Sequence, residues 1–272
     1  MTAAGSSRAT RSETTGETIG AATELTRAAD VIGACGSDAL LLWAAQGARP
    51  GVRAWTCGQV LAVACPDLNR RDRMAVRGPA PQVAALVRSL APRLGPQWRL
   101  LGEWPLMEEL ARLLGVEPVG FEWMDTDRPP PTPTPTGDGD VDGDGGVRWL
   151  DDADAEVAAL LQEASPSAWA TPGVAGVRRW AGLRDGSGRL IATAADAWSC
   201  PQVGFVAGVA TAPAHRGRGH AERVCRFVLA ELVAACGRGA LMVDSDNPTA
   251  IGVYERLGLR RRTVAASPLT GG

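Results

Sequence analysis

Apolar residues in this chain fall into short blocks that switch between a helical spacing of three to four and a strand spacing of two. Helical spacing covers Ala21–Ala34 and Asp38–Gln46. It returns from Pro79 through Val83, Leu86, Val87 and Leu90, and again over Leu106–Leu114. Pro79 suits a first helical position, and Gly115 suits a stop. Strands are expected at Val52–Thr56 and Gln59–Ala64, joined across Cys57-Gly58, then at Asp72–Val76 and Val116–Met124. Further along, Val147–Leu150 reads as a strand, and Asp151 or Asp152 is placed to cap a helix running through Leu160 and Leu161. Pro166–Gly176 is a loop or irregular helix containing Trp169. Val177–Leu183 and Leu190–Trp198 form a hairpin around Asp185-Gly186-Ser187-Gly188. The run Val203–Thr211 is a buried strand broken by Pro213. Helical spacing over Ala221–Ala235, a strand at Ala240–Asp244, a helix carrying Asn247 to Tyr254 and a strand at Leu259–Ala266 complete the pattern.

The pattern is α/β (α+β) and fills the chain in four pieces. Residues 1–20 lack periodicity and read as a disordered tail. Residues 21–126 form one α/β domain and 147–268 a second, which fits the usual domain size for 272 residues. Residues 127–146 are a linker, proline-rich and then acidic. Asp138 to Asp144 looks like a calcium loop, but the twelfth position falls on Trp149, so a solvated linker is the better reading.

Composition narrows the function by exclusion. A net charge of -2 gives no electrostatic case for nucleic acid or an anionic membrane. No apolar window is long enough for a membrane span, and the N-terminus has no apolar signal core, which leads us to expect a cytoplasmic protein. The six cysteines include no C-x-x-C pair and there are two histidines, so no metal site is expected. The thiols should be reduced and mostly buried. Cys225 reads as a small core residue rather than a nucleophile. No Gly-Lys-Ser/Thr phosphate loop occurs.

One stretch carries chemistry. A strand leads into His215-Arg216-Gly217-Arg218-Gly219, and this loop opens a helix. The first helical amides have no intrahelical acceptor and sit at the positive end of the helix dipole, which makes an anion site. Gly217 and Gly219 take positive φ cheaply and leave room for a ligand. Arg216 and Arg218 add charge and can pair with phosphate oxygens.

The spacing Arg216-x-x-Gly219-x-Ala221 resembles the acetyl-CoA pyrophosphate loop of GNAT-type N-acetyltransferases. Asn247-Pro248-x-Ala250, Tyr254 and Leu257-Gly258-Leu259 follow in that family's order, with Leu259 where a Phe is usual. The resemblance implies the GNAT fold, a mixed, mostly antiparallel sheet with flanking helices. It also implies acetyl-CoA as co-substrate, no metal, and direct attack by a primary amine in a ternary complex. The implied cofactor-binding residues are Val209, Ala210 and Thr211 on the strand, Arg216, Gly217, Arg218, Gly219, His220 and Ala221 in the loop, and Asn247. His220 contributes its backbone N–H. Asn247 can cap its helix and contact the pantetheine arm or the sulfur. Tyr254 is the implied general acid on the leaving thiolate. For the general base Asp196, Ser199 and Glu163 stay open, as does water. A non-catalytic acyl-CoA-binding regulatory protein is the alternative.

The acceptor is an amine on a small molecule or a protein, and the chain is a monomer or homodimer. Trp169, Trp180 and Trp198 either line an acceptor pocket or sit in the core. Glu109-Leu-Ala-Arg-Leu-Leu-Gly115-Val116 echoes Tyr254-Glu-Arg-Leu-Gly258-Leu259. The first domain is therefore either a degenerate copy of the second or an unrelated α/β domain. Arg77-Gly78-Pro79 stands where the anion loop would be, so no CoA is expected there. A role in shaping the acceptor cleft or in dimer formation is expected instead.

Overall fold

The computed structural model describes residues 22–132 and 146–269. The predicted tail and the acidic stretch Asp138–Asp144 lie outside them. The first half of the chain runs β1 (Thr23–Leu25), α1 (Ala28–Cys35), α2 (Ala39–Ala45), β2 (Arg53–Cys57), β3 (Val60–Leu68), β4 (Arg71–Arg77), α3 (Ala80–Leu94), β5 (Arg99–Glu103), α4 (Trp104–Leu114) and β6 (Val119–Thr126). The second half runs β7 (Arg148–Trp149), α5 (Asp154–Ala164), β8 (Val177–Arg184), β9 (Leu190–Ala197), β10 (Gly204–Thr211), α6 (His220–Cys236), β11 (Gly239–Val243), α7 (Pro248–Arg256) and β12 (Arg260–Pro268).

These strands form one sheet of twelve in the order β1-β2-β3-β4-β5-β12-β6-β11-β10-β9-β8-β7. Exchanging the matching strands of the two halves, β1 for β7 through β6 for β12, turns the order into its own reverse. In each half the fourth and fifth strands are parallel, β4 with β5 and β10 with β11. The last strand of each half pairs with the fifth strand of the other. β12 runs antiparallel to β5 through Val264↔Glu103 and Ala266↔Leu101. β6 runs antiparallel to β11 through Ala240↔Asp125 and Met242↔Trp123. β6 and β12 also pair with each other at the centre. Each half thus supplies a strand that completes the other's sheet.

The halves also share a core. Helix α2 is apolar on every side and every residue in it is buried, as expected for a helix enclosed by protein. Its Trp43 stacks on Phe205 of β10 at 4.7 Å and meets Trp123 of β6 at 5.5 Å. The Trp43 indole Nε1 donates to the Trp198 carbonyl at 3.0 Å, which satisfies its buried polar end.

Most predicted elements appear within a residue or two, and the departures have physical causes. The expected first helix starts only at Ala28, because Thr23–Leu25 pairs with β2 as an edge strand. β5 was not anticipated; its five residues Arg-Leu-Leu-Gly-Glu carry too short a period to read alone. Neither Asp151 nor Asp152 caps α5. Ala153 holds that position without a side-chain bond, and Asp154 and Glu156 place negative charge in the first turn instead. Among the described residues no helix is long and apolar enough to cross a membrane. The cysteines at 35, 57, 65, 200 and 225 are buried, and none of them forms a disulfide among the described residues.

Candidate active site

The parallel pair β10–β11 starts in register at Gly204↔Gly239, Phe205↔Ala240 and Val206↔Leu241, and its pairing ends there. On its other side β10 slips register against β9 between Ala207 and Ala210. Gly208 sits in this bulge with φ +61°, and a Cβ there would lie 2.5 Å from the Trp180 ring. Only glycine fits a left-handed turn so close to an indole. The bulge turns β10 away from β11, and an open cleft of about 1220 Å³ lies where the strands part.

Most of the sequence-predicted residues meet at this cleft. Val209, Ala210 and Thr211 line it from β10, and Gly217, Gly219, His220 and Ala221 line it from the loop and helix start. Gly217 and Gly219 have φ of +76° and +77°, as the loop requires. Helix α6 begins after Gly219 with no side-chain cap. Its first internal bond is Arg223 N–H to the Gly219 carbonyl at 3.0 Å, so the Ala221 and Glu222 amides have no acceptor within the helix. Thr211 Oγ1 is buried on the same wall without a hydrogen-bond partner.

The two arginines divide differently from expectation. Arg216 lines the cleft, but its guanidinium is used as a clamp. Nε donates to the Thr211 carbonyl at 3.3 Å, and a terminal nitrogen donates to the Ala164 carbonyl at 2.9 Å. It ties the loop to the ends of β10 and α5. Arg218 is exposed and is not part of the cleft wall. The positive field at the loop therefore comes chiefly from backbone amides and the helix dipole.

Asn247 caps α7, its Oδ1 accepting from Ala250 N–H at 3.0 Å, and it also lines the cleft. Tyr254 lies two turns along that helix, 7% exposed, against Cys225 of α6. Among the described residues none hydrogen-bonds its hydroxyl. Burial pushes the phenol's pKa well above its usual value, with Cys225 adding to the effect, so it stays protonated across the neutral range. Burial likewise pushes the Cys225 thiol up to about 12, which agrees with a core role.

None of the three candidate bases lines the cleft. Asp196 is buried between Ser199, whose hydroxyl donates to it, and Arg179 at 3.3 Å. Ser199 Oγ also accepts from Phe205 N–H at 2.7 Å, pinning the start of β10. Glu163 pairs with Arg189 at 2.9 Å on the surface. The carboxylates that do line the cleft are Glu222 and Asp244. Glu222 is held by Arg226 at 2.8 Å and Arg256 at 3.0 Å, whereas no ion pair to Asp244 occurs among the described residues. Of the tryptophans, Trp169 lines the cleft at 45% exposed, while Trp180 and Trp198 are core.

The first half of the chain contributes Asn69, Arg73 and Phe121 to the cleft wall. None was singled out from sequence. Arg73 shares its strand with the charged residues Arg71, Asp72 and Arg77, so nothing in the sequence marked it out.

Comparison with known proteins places this geometry. Residues 149–259 match the model of the acetyltransferase (GNAT) family. That stretch is accordingly an acyltransferase-type domain. The whole chain is similar in fold to a GCN5-related N-acetyltransferase from Kribbella flavida, with 18% identity, TM-score 0.56, 89% of this chain and 96% of that one covered. It is also similar to a GCN5-related N-acetyltransferase from Sphaerobacter thermophilus, with 16% identity, TM-score 0.55, and 92% and 96% covered. A putative GNAT-family acetyltransferase from Novosphingobium aromaticivorans is 27% identical over 71% of this chain and 82% of that one, with TM-score 0.47. No curated protein matches the sequence.

Proposed function

We propose that the chain is an acetyl-CoA-dependent N-acetyltransferase that passes the acetyl group directly to a primary amine. The observation that carries this reading is an unpartnered, buried phenol, Tyr254, on the same cleft as the uncapped start of α6. A pure CoA binder has no use for that hydroxyl.

In this reading the residues that would hold the CoA are those of the cleft. The amides of Gly217 to Ala221 take the diphosphate, with the helix dipole behind them. The backbone of Val209 to Thr211, turned away from β11, pairs with the pantetheine arm as an added strand would. One of its N–H groups polarises the thioester carbonyl, a role in which a single donor is worth about 3–4 kcal/mol in other enzymes. The amine lone pair attacks the carbonyl carbon, the C–S bond breaks, and the Tyr254 O–H protonates the departing thiolate. The proton lost by the amine goes to Asp244, the cleft carboxylate without an ion pair, directly or through water. A proton-transfer partner of this kind is worth ~10²–10⁴-fold.

The test is thiol release from acetyl-CoA across a panel of primary amines, together with calorimetry of acetyl-CoA binding. Turnover that drops in Tyr254→Phe while acetyl-CoA still binds supports the enzyme. Tight binding with no turnover on any amine would move the protein to the class of acyl-CoA-binding regulators.

A further inference from the structure

We propose that the acceptor carries a carboxylate, and that Arg73 of the N-terminal half receives it, backed by Asn69 and Trp169. This deepens the acyl-transfer reading of the same cleft and rests on it.

Arg73 lies on β4 and is 6% exposed, yet it lines the cleft. Its Nε donates to the Leu68 carbonyl at 3.1 Å, and this is its one hydrogen bond to the described residues. None of those residues offers it a carboxylate within ion-pair distance. The neighbouring Arg70 and Arg71 have no carboxylate within ion-pair distance either, and with Asp67 and Asp72 in the same turn the net local charge is +1. Burial, with Arg71 adding, lowers the Arg73 pKa to about 10, so the guanidinium is still charged at neutral pH. A buried cation without a partner is costly, and proteins keep such groups paired unless a ligand supplies the partner.

A second group in the same wall also lacks a partner. Asn69 lines the cleft, is 8% exposed, and its Oδ1 is buried with no hydrogen bond. The Trp169 ring closes the site, with Arg73 at 5.9 Å and Arg71 at 5.5 Å from its centroid. Arg70 donates to the Trp169 carbonyl at 3.4 Å, fastening the β3–β4 turn to the loop after α5. Four strands separate β4 from β10 in the sheet, so this site stands on a different wall from the α6 amides that serve the diphosphate.

The chemistry follows from the donors. Two terminal guanidinium nitrogens suit a planar two-oxygen group, which they can hold bidentately. Asn69 Oδ1 needs an N–H or O–H from the atom next to that group. An amine-bearing carboxylic acid offers both.

The test uses the full chain saturated with CoA and a set of N-acetyl amino acids, glycine through phenylalanine, each paired with its carboxamide. Calorimetry should show at least one acid binding about tenfold or more tighter than its amide, the size expected of one charge-assisted pair. Arg73→Gln should erase the preference and Arg73→Lys should keep part of it. Acetyl-CoA affinity, read on CoA-free protein of each variant, should not move. Arg73→Gln should also keep or raise the melting temperature, since it removes an unpaired buried charge. A purely structural Arg73 would lower it. Acids and amides binding alike, or not at all, in the unmodified protein would overturn the proposal without any variant. Failure of acetyl-CoA to bind while the acids still require Arg73 would instead sink the acyl-transfer reading and leave the carboxylate site standing.

Discussion

The two halves of this chain repeat one strand order, and each contains a parallel fourth–fifth strand pair, but only one pair is open. In the second half Gly208 bulges β10 away from β11, and the gap is a cleft. In the first half β4 and β5 stay together. A Cβ built on Gly102 of β5 would lie 3.4 Å from the Val76 carbonyl of β4 and 3.3 Å from the Met107 sulfur. Met107 of α4 is fully buried against this junction. The helix starts differ as well. α6 opens Gly219-His220-Ala221-Glu222, with an N–H at every position, whereas α3 opens Pro79-Ala80-Pro81, where two residues have none. The lesson is that the strand order does not make the site. A bulge, a glycine loop and a set of intact amides make it, and their loss leaves a half free to serve as a wall, as Asn69, Arg73 and Phe121 do.

That contrast can be broken in order of expected size. Tyr254→Phe should cut turnover by ~10²–10⁴-fold with acetyl-CoA affinity unchanged, because only a proton donor is lost. A fall in affinity of equal size would show that the phenol serves binding alone. Met107→Ala should cost about 2–5 kcal/mol of stability by opening a cavity between β4 and α4. Chemical denaturation reads that loss, and acetyl-CoA binding measured on the folded variant should be untouched. If the variant gained a second CoA site, the first half would be plugged rather than lacking the amides. Gly219→Val forces a β-branched residue to φ +77° at the helix start, a strain of about 1–3 kcal/mol, and should weaken acetyl-CoA by about 10-fold to 100-fold. Unaltered affinity in calorimetry would remove the loop from the cofactor site. Smallest is Cys225, whose thiol pKa is raised to about 12 by burial. Below that pH the neutral thiol dominates, so alkylating reagents at pH 7–8 should leave it unmodified in mass spectra of the native protein. Rapid labelling would reopen it as a nucleophile.

Local residue choice made the loop from Arg216 to Ala221 and the pair Asn247 and Tyr254 legible before any coordinates. A glycine at positive φ or a capping Asn acts on its immediate neighbours, so its meaning survives in the one-dimensional string. The base stayed open for the opposite reason. Asp196 is close to the cleft strands in sequence, but its carboxylate turns to Ser199 and Arg179, and the direction a side chain takes at a strand end depends on what packs beside it. Arg216 looked like a phosphate ligand because charge and spacing are visible, while the carbonyl of Ala164 that it clamps is far away along the chain.

By itself, the sequence determined the helices and most strands, the break at Pro213, the glycine loop at the uncapped helix start and the single tyrosine downstream of it, because each rests on periodicity or on backbone preferences of a few adjacent residues. Only the tertiary structure decided that β6 and β12 cross to complete each other's sheets, that Met107 packs against one parallel pair while Gly208 opens the other, and that Arg73 arrives unpaired at a cleft built mainly by the other half. Those outcomes depend on pairing and packing between residues far apart in the chain, where hydrogen-bond geometry and close-packed volume, rather than local preference, select the arrangement.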